Sequence, residues 1–264
     1  MKKQTNISLI IATYNWPEAL ELCLMSISKQ SVLPSEIIIA DDGSDERTTR
    51  VVRAFSEKAT FPVYHEWHED KGFRKTIILN KAIQRASSAY IVQIDGDIIT
   101  SPHFLEDHIR AAEAGCFIRG TRTSLNKQET ELLLTNKKLS WMNRIKLVLQ
   151  QPANALRLPP CLSKFTTRKE LAGRKVKGCN MSFWKQDLMD INGYDNQLQG
   201  WGHEDEELSW RLVNLGRKKK IIKFSAVTYH LYHRLLSRQD EPHHRAVMEQ
   251  IIKEKRIRTD NGIE

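Results

Sequence analysis

Tyr90-Ile91-Val92-Gln93-Ile94-Asp95-Gly96-Asp97 is the stretch on which the fold turns. A short apolar run broken only by Gln93 reads as a buried strand, and it passes without a linker into two carboxylates one residue apart. Carboxylates at that spacing, in a loop just beyond a buried strand, can reach one hard cation. Mg²⁺ and Mn²⁺ take oxygen ligands and share their coordination with a substrate's phosphates. The same three residues also make an ordinary acidic turn, so their surroundings must discriminate.

Working outward, the first half of the chain alternates strand and helix signals. Ile7 to Ala12 is an apolar run ending at Thr13-Tyr14-Asn15. Pro17 then opens a helix at an early position, where its missing N–H costs little. Ala19, Leu20, Cys23, Leu24 and Ile27 follow at helical spacing. Glu36 to Ala40 is a second buried strand, stopped by Asp41-Asp42-Gly43-Ser44-Asp45. Helices are expected near 46–58, 77–86 and 102–114, with a strand near 61–67. This rhythm predicts an α/β fold with a mostly parallel central sheet flanked by helices. Ligands of such sheets bind beyond the carboxyl ends of the strands, where both acidic motifs fall. Asp42 at a strand end can accept from a base N–H or a ribose hydroxyl. Asp and Ser there also cap the next helix, and both readings hold together.

The net charge of +9 favours acidic partners such as nucleotides, anionic glycolipids or a membrane surface. No motif or aromatic–basic interleaving of the nucleic-acid readers is present, so no nucleic acid is expected. Cys23, Cys116, Cys161 and Cys179 have no zinc or redox spacing and read as reduced thiols. No apolar run approaches a membrane span, and Ile7 to Ala12 is too short for a signal peptide. The expected location is the cytoplasm, with peripheral contact on the inner face of the membrane as an option.

An apolar first strand, then Thr13-Tyr14-Asn15, Asp41-Asp42-Gly43-Ser44 and Asp95-Gly96-Asp97, resembles the family 2 glycosyltransferases of the GT-A fold. The resemblance implies that Thr13 and Asp42 contact uridine, with Tyr14, Asn15 and Glu18 nearby. It also implies that Asp95 and Gly96 face the ribose or metal, and that Asp97 ligates the metal. Lys71-Gly72-Phe73-Arg74-Lys75 is similar to the family's loop near base and phosphates, with Arg74 as the expected contact; it also reads as a solvated basic turn.

Gly200-Trp201-Gly202-His203-Glu204-Asp205 resembles the acceptor-side Gly-Trp-Gly-x-Glu-Asp motif of β-1,4-galactosyltransferases and chondroitin-type polymerases. His203 stands where glycine is frequent. Trp201 offers a flat face to a sugar ring, and Gly202 lets it come close. Carboxylates are favoured in the first turn of the helix that follows, and one can take the acceptor's proton. By resemblance the base is Asp205, and Glu204 binds acceptor hydroxyls. Gly178 to Phe183 is similar to a segment lining both sugars, with Asn180 the chosen contact. Thr228 to His233 resembles the family's late histidine. His230 is the first choice beside Asp97, with Asp95 and His233 as further ligands to Mn²⁺ or Mg²⁺. His230 and His233 share one side on a helical turn and oppose each other on a strand.

The resemblance implies a UDP-hexose or UDP-N-acetylhexosamine donor, a glycan or glycolipid acceptor, and inversion, in bacterial surface polysaccharide or lipopolysaccharide synthesis. A retaining transferase of the same fold would share the metal motif. A sugar nucleotidyltransferase would need a glycine-rich basic loop where Thr13-Tyr14-Asn15-Trp16 stands. A binding module would need Trp201 but not the carboxylates.

The expected organisation is a nucleotide-sugar half at 1–120, a variable insertion at 121–175, and an acceptor half at 176–264 with an exposed, fraying helical tail from Asp240. Within the insertion, Leu139, Trp141, Met142, Ile145, Val148 and Leu149 make an apolar stripe beside Lys137, Lys138, Arg144 and Lys146. It reads as a core-packed helix or as one lying on an anionic membrane.

Overall fold

The computed structural model describes residues 3–4, 6–138, 140–234 and 240–264. Leu139 of the predicted stripe lies outside them. After β1 (Lys3–Gln4), β2 (Ile7–Thr13) is buried along its whole length. Pro17 opens α1 (Pro17–Ile27), and β3 (Val32–Leu33) and β4 (Glu36–Asp41) follow. Asp45 caps α2 (Glu46–Ser56) by accepting from the Arg47 N–H. Then come β5 (Val63–Trp67), α3 (Lys75–Arg85), β6 (Tyr90–Asp95), β7 (Ile98–Thr100), α4 (Phe104–Ala111) and β8 (Cys116–Arg119).

The middle segment holds β9 (Thr123–Ser124), α5 (Lys127–Asn136), α6 (Trp141–Gln150), two single turns α7 (Pro152–Ala155) and α8 (Pro160–Ser163), and β10 (Arg168–Glu170). The last part adds β11 (Asn180–Trp184), α9 (Lys185–Asp190), α10 (Glu204–Asn214), β12 (Lys218–Ile221), β13 (Thr228–His230) and α11 (Glu241–Glu254).

The main sheet runs β10-β12-β8-β11-β6-β2-β4-β5. The β6-β2-β4-β5 part is parallel, while β11 enters antiparallel between β6 and β8. Alternate residues of the central strands bury into two cores. Leu9, Ile11, Ile37, Ile39, Val92 and Ile94 face α1 and α4. Ile10, Ile38 and Ile91 face α3 and α10. Both faces being covered explains why these strands read as continuous apolar runs rather than alternating ones.

A third, smaller cluster joins Ala19 and Leu22 of α1, Leu133 of α5, Leu147 of α6 and Leu231. Here the core-packed reading of the stripe is corrected. Trp141, Met142, Ile145 and Leu149 are exposed; the stripe's Val148 packs partly inward, and the fully buried residue is Leu147, which was outside the stripe. The fraying tail is corrected too. His244 and Ile251 of α11 are buried, and the chain beyond returns to Asn192, which accepts from the N–H groups of Ile263 and Glu264.

Candidate active site

Three parallel strands end together. The Gly96 N–H donates to the Ala12 carbonyl at 2.7 Å and the Asp42 N–H to the Thr13 carbonyl at 3.0 Å. This places Thr13, Asp42 and Asp95 at the mouth of one cavity of about 430 Å³. Tyr14, Lys75, Gly96, Asp97, Trp201 and Glu204 also line it. A larger groove of about 860 Å³ lies between α1 and α2. Its walls are mainly apolar and hold none of the motif residues, so the chemistry belongs to the smaller cavity.

A small sheet, β7-β13-β9, closes the metal side. His230 pairs with Ile98, and the Leu231 N–H donates to the Asp97 carbonyl at 3.1 Å. β13 ends at His230, so strand alternation does not govern where His233 points. His230 Nε2 and His233 Nε2 each lie 3.5 Å from Asp97 Oδ2. Single ligand atoms of these three residues fall within 4.8 Å of one another. Asp97 Oδ1 is buried without a hydrogen-bond partner among the described residues. Burial and the neighbouring Asp95 push Asp97 up to about 7, and burial with Arg122 pushes His230 down to about 3. The neutral His230 and a second imidazole beside a crowded, half-orphaned carboxylate fit a divalent cation, whose charge would reverse the penalty on Asp97.

Asp95 is held differently. Lys75 Nζ donates to Asp95 Oδ1 at 2.7 Å. Burial raises Asp95, but the charge and hydrogen bond of Lys75 outweigh it, so the carboxylate stays below its ordinary range. Lys75 in turn is drawn by Asp95, Asp205 and Glu204 together, so it stands between the two acidic groups of the site.

The acceptor-side carboxylates open α10. His203 precedes them in the left-handed region at φ 62°, where glycine is usual. Glu204 Oε2 accepts from the Gly202 N–H at 3.0 Å, and Asp205 Oδ2 from the Gly178 N–H at 2.7 Å. Burial and the adjacent Glu204 push Asp205 up to about 7. A Cβ on Gly178 would sit 2.3 Å from Asp205 Oδ1 and 2.5 Å from Oδ2. Gly178→Ala should therefore displace the carboxylate and lower kcat about 10²-fold, the cost of a misplacement near 1 Å. Steady-state kinetics alongside UDP titration checks this, with UDP affinity expected to hold; a Gly178→Ala kcat near wild type would remove the close contact from the argument.

Several expected contacts are spent elsewhere. Asn180 is corrected as a sugar ligand: its amide is buried, bonded to His108 and to the carbonyls of Thr121 and Ala226. The Asn15 side chain accepts from the Asp45 N–H, joining two loops outside the cavity. Glu18 is exposed on α1, away from the lining. Arg74 gives its backbone N–H to Asp42 Oδ2 at 2.9 Å and its guanidinium to the Glu69 carbonyl. Asp42 itself holds His68 Nε2 at 2.6 Å. The residue the sequence reading missed is Lys75. Arg74 sits at the N-cap and Lys75 at the first helical position, so the phase of α3 decides which cation enters the cavity.

Asp95 and Asp97 at the end of one strand and Glu204 at the start of α10 thus line one cavity at the carboxyl end of a parallel sheet. The chain belongs to glycosyl transferase family 2, whose model matches residues 8–171. Residues 162–234 match the model described as the N-terminal domain of galactosyltransferase. Chondroitin synthase of Escherichia coli is 24% identical over 238 residues, covering 85% of this chain and 34% of its own length. Validoxylamine A glucosyltransferase of Streptomyces hygroscopicus subsp. limoneus is 25% identical over 225 residues, covering 78% and 47%. The chain thus spans less than half the length of these relatives. Among solved structures, residues 1–349 of S. aureus TarS align at TM-score 0.64 and 16% identity, covering 98% of this chain and 66% of that one. GalNAc-T7 with UDP, GalNAc and Mn²⁺ aligns at 0.59 and 13%, covering 86% and 44%. These likenesses establish the fold.

Proposed function

We propose that this protein transfers a hexose or N-acetylhexosamine from a UDP-sugar to a sugar acceptor, with inversion, in the synthesis of a bacterial surface polysaccharide or lipopolysaccharide. The observation that carries the reading is the convergence on one cavity of Asp97 and His233 on one side, with His230 beside them, and Glu204 on the other, with Asp205 next to it at the start of α10. Asp205 takes the proton of the acceptor hydroxyl. That oxygen forms the new bond to the anomeric carbon while the bond to the diphosphate oxygen breaks and its electron pair leaves with UDP. Glu204 and Trp201 orient the acceptor, Thr13 and Asp42 the nucleoside. Lys75 offsets the negative charge between them. A divalent cation held by Asp97, His230 and His233 would supply charge neutralisation on the leaving diphosphate.

The test is a melting scan with Mn²⁺ and UDP. Binding to the folded state alone adds about 2.7 kcal/mol at a hundred times the dissociation constant. His230→Ala should lose the part of the shift that needs Mn²⁺. A shift indifferent to metal and to His230 would refute the cation site, and NMR of the product anomer decides inversion against retention.

A further inference from the structure

Helix α6 buries the wrong side for an ordinary amphipathic helix. Leu147 points inward, into the cluster with Ala19, Leu22 and Leu231. Trp141, Met142, Ile145 and Leu149 are 70%, 62%, 49% and 78% exposed. At helical spacing these four fall within an arc of roughly 100°, opposite Leu147, with Val148 and then Arg144 beyond one edge and Lys146 beyond the other. Single exposed apolar side chains are common, but a contiguous set on one helix face marks a contact surface. The stretch of chain that carries it is charged with one sign. Between Glu131 and Glu170 the sequence holds no Asp or Glu and eight Lys or Arg. Some of these cations also serve the fold, as Lys146 does with Glu129 and Arg157 with Asp107.

We propose that the outer face of α6 docks on an anionic lipid surface, with Trp141, Met142, Ile145 and Leu149 entering the headgroup boundary and the flanking cations meeting lipid phosphates. An outward apolar stripe bordered by Lys and Arg, with an aromatic ring at its start, is the chemistry of an interfacial helix. The one-signed charge argues for an anionic bilayer over a second copy of this equally basic chain.

The placement also serves the site. The inner side of α6 packs with Ala19 and Trp16, which line the cavity, and with Leu231, which lies between His230 and His233. The cavity wall then stands about one helix diameter, on the order of 10 Å, from the lipid.

The experiment needs neither donor nor acceptor, so its failure is separate from failure of the transferase reading. The full chain is sedimented with vesicles of equal phosphatidylglycerol and phosphatidylcholine, and with pure phosphatidylcholine. Binding should be strong on the first, at least about tenfold weaker on the second, and reduced by salt. Ile145→Glu with Leu149→Glu should abolish it, while melting temperature and UDP affinity stay at wild type. Ile257→Glu, an exposed apolar site on another part of the surface, should bind as wild type. The proposal is overturned if folded wild type ignores anionic vesicles. Binding that survives the double substitution overturns it too, as does a double variant that only changes the oligomer seen by light scattering.

Discussion

Asp205→Asn is expected to lower turnover about 10²- to 10⁴-fold, the range for losing a general base. Asn keeps the shape and can still accept the Gly178 N–H, so UDP affinity should be unchanged. The pH profile carries the sharper test. Because burial and Glu204 push Asp205 up to about 7, the form able to take a proton accumulates as pH rises through that value. Wild-type turnover should rise through pH 7, and the residual rate of Asp205→Asn should lack that limb.

Stability moves the other way. The folded pKa lies above that of the unfolded chain, so the contribution of Asp205 is full below the ordinary carboxylate range and lost as pH rises through about 7. Asp205→Asn should therefore melt above wild type near pH 8, with the gap closing towards about pH 4. If Glu204→Gln abolished turnover while Asp205→Asn raised only the acceptor KM, the two roles would have to be exchanged.

Glu207→Ala should destabilise the fold by about 3–5 kcal/mol. Glu207 and Arg211 are fully buried one helical turn apart on α10, joined by two hydrogen bonds of 2.5 and 2.7 Å. The third guanidinium nitrogen donates to the Ile191 carbonyl at 2.7 Å. Removing the carboxylate leaves a desolvated cation with no opposite charge. For a chain of this size the loss corresponds to a drop on the order of 10 °C in melting temperature. Glu207→Leu combined with Arg211→Met removes both charges at similar volume and should return stability close to wild type. Urea unfolding of the two variants decides this. A single variant within about 1 kcal/mol of wild type would mean the pair is relaxed by water, against its burial.

The parallel half of the sheet was legible because its strands are buried on both faces and each stops at a polar motif. Asp42, Asp95, Asp97, Glu204 and Asp205 could be picked out for the same reason: each stands where a regular element begins or ends. Side-chain direction was less legible. Arg74 and Lys75 are neighbours, and which of them enters the cavity depends on the starting phase of α3, which composition does not set. Asn180 begins β11 beside the site, but β11 runs antiparallel and turns the amide into the buried group around His108. Burial pushes His108 down to about 4, so it stays neutral and can both donate and accept there. The exposed stripe of α6 follows a pattern that burial would also produce, and only packing distinguishes the two outcomes.

The order of strands in the sheet has a consequence for a chain growing on the ribosome. β6, β2, β4 and β5 are all made early and can pair with one another at once. β8 cannot join them until β11 arrives to fill the place between β8 and β6. Asp97 emerges roughly 130 residues before His230, many seconds at a synthesis rate of about 5–20 residues per second. For most of that interval the nascent chain holds the nucleotide-facing loops but neither acceptor carboxylate, and through all of it neither histidine. The carboxylates of α10 and the histidines at the end of β13 therefore join a nucleotide-facing half that is already made.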